Sequence, residues 1–241
     1  MSELCKVYCE DSVIGMQSLE SNSIDLVFTD PPYGIKGNLL NAHYNRDEST
    51  VIEGYQEVAL EEYAEFSRNW ISEASRVLRP GGTFYCVSGY TNLHHVLNAL
   101  HATKLQEVNH LIAEYTFGVY TKNKWVSSHY HLLCWEKPGK KRTFNRDAYY
   151  SDTRQSYQDR LSVQKIKREY NKQKIKNKNQ LPVAFVERYI RYSSHEGDWV
   201  LDPFSGSFST AKAALQNNRK FIGYEKNKTA YNYFTQEINR W

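Results

Sequence analysis

Residues 29–34 read Thr-Asp-Pro-Pro-Tyr-Gly and follow the apolar triplet Leu26–Phe28. Each proline fixes φ near −65° and removes an amide donor, and a glycine relaxes the exit. The stretch therefore reads in two ways. It is a plain turn, or it holds a carboxylate (Asp30), a carbonyl kept out of ladder pairing (Pro31) and a flat ring (Tyr33) at the edge of a sheet. A second set of such residues runs from Val200 to Glu225, VLDPFSGSFSTAKAALQNNRKFIGYE, in the order strand, small-residue turn, helix, strand. Glu225 stands nineteen residues after Gly206. An acid at about that separation from a glycine turn is where a nucleotide-type ligand has its ribose hydroxyls bound. The competing reading is a tight turn whose acids are merely solvated.

The elements that must position these residues follow from hydrophobic period and punctuation. Lys6–Cys9 and Ser23–Phe28 read as short buried strands around a helical stretch at 12–21. Leu60–Leu78 spaces its apolar residues by three and four, as an amphipathic helix does, and Arg79–Gly82 (RPGG) stops it before a strand at 83–89. A helix led by Thr91 presents Leu93, Val96, Leu97 and Leu100, and 108–118 and 129–137 read as two strands of one edge. Helix 181–194, with Pro182 in its first turn, precedes strand 198–202, helix 208–218, strand 220–225 and helix 228–241. Strands alternating with helices predict an α/β fold with a mostly parallel sheet covered on both faces. Ligands bind such sheets beyond the carboxyl ends of the strands, where Asp30, Asp202 and Glu225 stand.

TDPPYG and the 200–225 unit together resemble the signatures of S-adenosylmethionine-dependent amino-methyltransferases of DNA bases. Their order, target-base motif first and a basic region between the two, resembles the β group of that family. Blocks at 73–82 (EASRVLRPGG), 127–139 (SSHYHLLCWEKPG) and 181–190 (LPVAFVERYI) extend the resemblance over nearly the whole chain. It implies a Rossmann-like methyltransferase domain formed by 1–136 and 181–241, with 137–180 as a small basic insertion for target recognition. It also implies site-specific methylation of adenine N6 in double-stranded DNA, by direct transfer to a flipped base, of the kind that serves restriction-modification. Asp30 rather than a serine before PPY favours adenine over cytosine on this resemblance.

The resemblance assigns catalysis to Asp30, Pro31, Pro32 and Tyr33, with Asp30 and the Pro31 carbonyl accepting the two amine hydrogens and Tyr33 offering a stacking face. Cofactor binding falls to Asp11 on the adenine side, Glu225 at the ribose, and Asp30, Asp202, Phe204, Gly206 and Ser207 around the methionine part. Asp11 also reads simply as the cap of the following helix. No proline is followed by cysteine, so the Pro-Cys nucleophile of ring-carbon methylation is absent.

The net charge of +4 is unevenly spread: 137–180 holds fourteen Lys or Arg against four Asp or Glu, which leaves the remainder acidic. Such a segment is the footprint of a protein that meets nucleic acid, or else a solvated basic loop. Arg142, Arg146, Arg154, Lys165, Lys167 and Arg168 are the candidates for phosphate contacts, and Tyr149, Tyr150 and Tyr157 for stacking or packing. The segment is short for reading several base pairs, so a homodimer or a partner subunit is expected to contribute. Cys5, Cys9, Cys86 and Cys134 form no CxxC pair and read as buried, reduced thiols. His129 and His131 read as structural, with no metal expected. No apolar run approaches a membrane span and the N-terminus lacks a signal-peptide pattern, so the expected compartment is the cytoplasm. Two other activities stay open: cytosine-N4 or RNA amino-methylation, and a non-catalytic nucleic-acid-binding subunit. The last is favoured by Phe208 where the family has glycine and by Leu181 where it has lysine. The Phe208 ring either obstructs the methionine end of the cofactor or packs against the following helix.

Overall fold

The strands carry apolar residues at consecutive positions because both faces of their sheet are covered. A computed structural model of the chain describes residues 3–35, 57–115, 122–146, 157–167 and 180–238. In chain order the elements are β1 (Cys5–Tyr8), α1 (Ser12–Gln17), β2 (Ile24–Thr29), α2 (Tyr63–Val77), β3 (Leu78–Ser88), α3 (Leu93–His101), β4 (Gln106–Glu114) and β5 (His129–Glu136). There follow β6 (Val163–Lys165), α4 (Val183–Ser193), β7 (Trp199–Asp202), α5 (Ser209–Gln216), β8 (Lys220–Tyr224) and α6 (Lys228–Ile238). They form one sheet in the order β1-β8-β7-β2-β3-β5-β4-β6. Strands β1, β8, β7, β2 and β3 are mutually parallel, and β5 is the strand that runs against its neighbours β3 and β4. The mostly parallel α/β sheet expected from the sequence is the observed one.

Successive residues of each strand serve opposite cores. Phe28, Tyr85, Val87, Leu132, Cys134, Val200 and Phe221 join α4, α5 and α6 on one face. Val27, Phe84, Cys86, Leu133, Trp135, Leu201 and Ile222 join α1, α2 and α3 on the other. The small residues Ala211, Ala213 and Ala214 of α5 are fully buried. Among the described residues no helix is long and apolar enough to cross a membrane.

Three boundaries differ from expectation. α1 ends at Gln17, where the Ser18 hydroxyl donates to the Gly15 carbonyl at 2.7 Å and closes the last turn. RPGG ends α2 but is itself strand: Gly81 N–H donates to Lys137 O at 2.7 Å, and Lys137 N–H to Gly82 O at 3.1 Å, so the segment pairs with the chain just beyond β5. β4 and β5 are not the edge. Val163–Lys165, within the basic stretch, pairs parallel to β4 and adds an outer strand.

At the opposite end of the sheet from the acids, Asp25 ties three strands together. Its carboxylate accepts from the Arg79 guanidinium on β3 and from the Trp199 N–H of β7, the latter at 2.8 Å. Asp25→Ala leaves a backbone donor and a half-buried guanidinium without their acceptor. The expected loss is about 2–3 kcal/mol, read from the denaturant midpoint, with ligand affinity at the far edge unchanged.

Candidate active site

Because β1, β8, β7, β2 and β3 are parallel, their carboxyl ends share one edge, and a cavity of about 1020 Å³ opens there. Asp11, Asp30, Pro31, Pro32, Tyr33, Asp202, Phe204, Gly206, Ser207 and Glu225 all line it. Two motifs far apart in sequence therefore face one space. The link between them is direct: the hydroxyl of Thr29, the last residue of β2, donates to Asp202 Oδ1 at 2.7 Å.

The turn after β7 is built around its two acids. Asp202 Oδ1 also accepts the Phe204 N–H at 3.0 Å, and Ser205 Oγ donates to the Asp202 carbonyl. Gly206, at φ +48°, gives its N–H to Glu225 Oε2 at 2.8 Å, while Asn227 N–H meets Glu225 Oε1 at 2.7 Å. A carboxylate has about four acceptor sites, so Glu225 is oriented and still able to accept from a ligand. Burial pushes the Asp202 carboxyl up to about 6, against the opposing hydrogen bonds from Thr29, Thr210 and Phe204. Burial also raises Glu225, opposed by the Asn227 and Gly206 amides. Asp11 caps α1 through Val13 N–H at 2.9 Å and lines the cavity as well, so the two readings of this residue coexist. Phe204 forms part of the wall, edge-on to Trp70 at 5.3 Å and 5.5 Å from Phe66.

The Asp30–Gly34 loop is held by hydrogen bonds from three side chains. Tyr63 Oη donates to Pro32 O at 2.9 Å, and the buried Asn92 amide donates to Tyr33 O at 2.7 Å and Gly34 O at 3.1 Å. Glu57 accepts the Gly34 N–H at 3.0 Å. Gly34 is at φ +67°, and a Cβ there would stand 2.4 Å from the Tyr63 ring, so both conformation and space require glycine. With the carbonyls of residues 32–34 engaged, the Pro31 carbonyl has no hydrogen-bond partner among the described residues. Beside it, Asp30 Oδ1 accepts from Tyr33 Oη at 2.6 Å.

Tyr33 lines the cavity with most of its ring already covered. It is 7% exposed, with its ring tilted against Tyr130 at 6.2 Å, so little of it is open to a stacking base. Tyr63, Asn92 and Glu57 carry no signal in the sequence that singles them out, and Thr29 stands in the motif with no role assigned to it. Tyr63 reads there as a core position of α2, and Asn92 as part of the start of α3. In fact Asn92 makes no side-chain cap bond, because its amide serves the loop.

Phe208 is in the left-handed region, φ 59° and ψ 29°, and is fully buried. Its ring packs 5.7 Å from Phe234 of α6 and is not among the residues lining the cavity. Of the two outcomes expected for this ring, packing is the one observed, and its partner is α6 rather than the helix directly following. Leu181 does line the cavity, and its carbonyl accepts from Ser209 Oγ at 2.7 Å.

The basic candidates divide. Arg142 is paired with Glu136 at 2.9 Å and lies over the Phe144 ring at 5.0 Å, so its charge is already met within the fold. Arg146, Lys165 and Lys167 are exposed, as is Tyr157, while Arg154, Arg168, Tyr149 and Tyr150 lie outside the described residues. Three cysteines are buried free thiols, but Cys9 is exposed, contrary to the expectation for all four. His131 Nδ1 lies 2.8 Å from His110 Nε2, and burial with the neighbouring histidines lowers His131 to about 4. Among the described residues no group of three or more His, Cys, Asp or Glu is placed to hold a metal ion.

Two tests follow from this geometry. A carboxyl whose folded pKa is raised binds its proton more tightly in the native state, so its stabilisation is full below about pH 4 and is lost as pH rises through about 6. Asp202→Asn keeps an acceptor for Thr29 and Phe204 but does not titrate. Its stability is expected to fall less between pH 4 and 7 than that of the wild type, by on the order of 2 kcal/mol, in denaturant melts at each pH. Phe208→Gly relieves about 1 kcal/mol of left-handed strain but removes a buried ring worth about 3–5 kcal/mol. The net expected loss is about 2–4 kcal/mol, with calorimetric S-adenosylmethionine affinity no better than that of the wild type; a clear gain in affinity would show that the ring does obstruct the site.

Residues 24–236 match a family model described as DNA methylase, of the N6/N4 methyltransferase type. The chain is 31% identical over 233 residues to the type II methyltransferase M.HpaI of Haemophilus parainfluenzae, covering 92% of this chain and 70% of that protein. It is 29% identical over 239 residues to the DNA adenine methyltransferase YhdJ of Escherichia coli K12, covering 90% and 76%. In fold it resembles a Thermus thermophilus protein, a putative DNA modification methylase solved in complex with S-adenosyl-L-methionine, with a TM-score of 0.73 at 20% identity over 98% of this chain and 93% of that one. With the family match spanning all but the ends of the chain and a relative 31% identical over 92% of it, the protein belongs to the N6/N4 DNA methylases, which methylate amino groups of DNA bases.

Proposed function

We propose that the protein is a site-specific adenine-N6 methyltransferase of double-stranded DNA that uses S-adenosylmethionine. One observation carries this reading: Asp30 and Pro31 both line the acid-lined cavity, and the Pro31 carbonyl has no hydrogen-bond partner among the described residues while the next three carbonyls are all engaged. An adenine amine is a poor nucleophile because its lone pair is delocalised into the ring. Asp30 accepting one N–H and Pro31 O the other would draw the nitrogen toward tetrahedral geometry and aim its lone pair at the donor. The Tyr33 hydroxyl donates to Asp30 Oδ1 and so helps to orient the carboxylate. A base inside a duplex cannot reach this loop, so it must be displaced first.

The cavity fits the cofactor by its donor set. Glu225 suits a ribose diol, and the buried acids suit a cationic ligand carrying a sulfonium and an ammonium group. When bound, S-adenosylmethionine supplies an electrophilic methyl for direct displacement. The volume, at the upper end of the range for small-molecule sites, leaves space for a base beside it. Adenine as the target is supported by the acid at position 30 and by the likeness to an adenine-specific relative. Assignment of 137–180 to target recognition, and of a second subunit to complete it, belongs to the same reading.

The experiment is to incubate the protein with labelled S-adenosylmethionine and unmethylated genomic DNA, then identify the nucleoside. N6-methyladenine is expected, and N4-methylcytosine would move the target to cytosine. No label in that DNA, nor in total RNA assayed in parallel, would favour a non-catalytic subunit. Asp30→Ala is expected to lower transfer by about 10²–10³-fold or more while binding the cofactor normally; substantial turnover by that variant would remove Asp30 from the chemistry.

A further inference from the structure

The carboxyl edge of the sheet has a second half, on the far side of β3 from the acids. β4 and β6 run in the same direction as β3, so Glu114 and Lys165 end at the edge where Asp30 stands. β5 enters from that edge, and the chain just before it carries Lys122, Lys124 and Trp125, all exposed. Trp125 is 97% exposed, whereas Trp70 and Trp135 are fully buried in the core.

A lone apolar residue on a surface is ordinary. This one is set apart by its surroundings. Lysines stand one and three residues before it, and Lys165 and Lys167 are exposed at the end of the outermost strand on the same edge. Behind it, a chain of contacts leads back to the acid. Tyr115 Oη lies 3.4 Å from Ser127 Oγ, the Tyr115 ring 4.8 Å from Tyr130, Tyr130 6.2 Å from Tyr33, and Tyr33 Oη 2.6 Å from Asp30. Tyr33 itself is only 7% exposed, and Trp125 is the most exposed aromatic residue among the described ones. Exposed aromatic rings set among cations are the combination that binds bases by stacking and phosphates by charge.

We propose that Trp125 enters the duplex beside the displaced nucleotide and stacks on the bases left behind, while Lys122, Lys124, Lys165 and Lys167 meet the flanking phosphates. This rests on DNA being the substrate. It adds a duplex-contacting element formed outside the acid-lined cavity and, for Lys122, Lys124 and Trp125, outside the 137–180 insertion.

The test uses the full chain, Trp125→Ala and Trp125→Phe, with sheared unmethylated phage DNA as the probe. Trp125→Ala is expected to lower kcat/KM for methyl transfer by about tenfold or more, and Trp125→Phe to retain activity within about threefold, since a phenyl ring still stacks. Calorimetric S-adenosylmethionine affinity and Tm should be unchanged in both. Trp125→Phe also serves as a fluorescence blank: the difference from wild type isolates the Trp125 indole, which should become protected from acrylamide quenching as DNA saturates the protein. Wild-type turnover by Trp125→Ala, or an indole equally quenched in the DNA-saturated complex, overturns the proposal. A wild type that protects the indole on DNA but transfers no methyl supports the contact and overturns the enzymatic reading instead. A wild type that binds none of the DNA overturns the contact whatever reaction the cavity performs.

Discussion

A buried hydrogen bond from Thr29 to Asp202 joins the two halves of this site. Its ends are 173 residues apart in sequence, and it forms because β2 and β7 are parallel neighbours in the middle of the sheet. Parallel strands end at the same edge, so the residue after Thr29, which is Asp30, arrives beside the turn that begins at Asp202. Both cores serve this register. Successive residues of β2 and β7 are claimed by opposite helix layers, so slipping either strand by one position would reverse every inward side chain.

Around that junction, rigidity is supplied by groups with no part in the chemistry. Tyr63, Asn92 and Glu57 hold the Asp30–Gly34 loop through its backbone, which leaves the Pro31 carbonyl as its open acceptor among the described residues. Glu225 and Asp202 hold the other turn through amides at Gly206, Asn227 and Phe204. On the proposed reading these acceptors are preorganised and need not reorganise when charge shifts on the reacting nitrogen. Phe208 fits the same scheme. A phenylalanine at positive φ costs about 1 kcal/mol, and its burial against Phe234 offsets that cost while pinning the turn after β7 to α6. A glycine at this position would supply the conformation without the anchor.

The edge also shows a division of charge. The cavity side carries Asp11, Asp30, Asp202 and Glu225 together with Lys226 and Lys228, and the β4–β6 side carries Glu114, exposed lysines and aromatic rings. Acids suit a cationic cofactor and would repel a phosphate backbone, whereas lysines attract one. The Tyr33–Tyr130–Tyr115 rings lie between the two regions.

The sequence by itself determined most of the elements and the identity of the acids. Apolar runs bounded by turn residues marked β2, β7 and β8, periodic spacing marked α2, and glycine turns followed by acids marked the cavity, because these are local consequences of covalent geometry and side-chain period. Local pattern is silent about what is brought together from a distance. That Asn92 would brace a loop nearly sixty residues earlier, that Arg142 would be taken up by Glu136, and that Val163–Lys165 would extend the sheet were decided only by strand order and packing. The same holds for Phe208 and Tyr33. Their residue types announce a ring, but which way a ring turns is set by the free volume around it, at Phe208 by α6 and at Tyr33 by Tyr130.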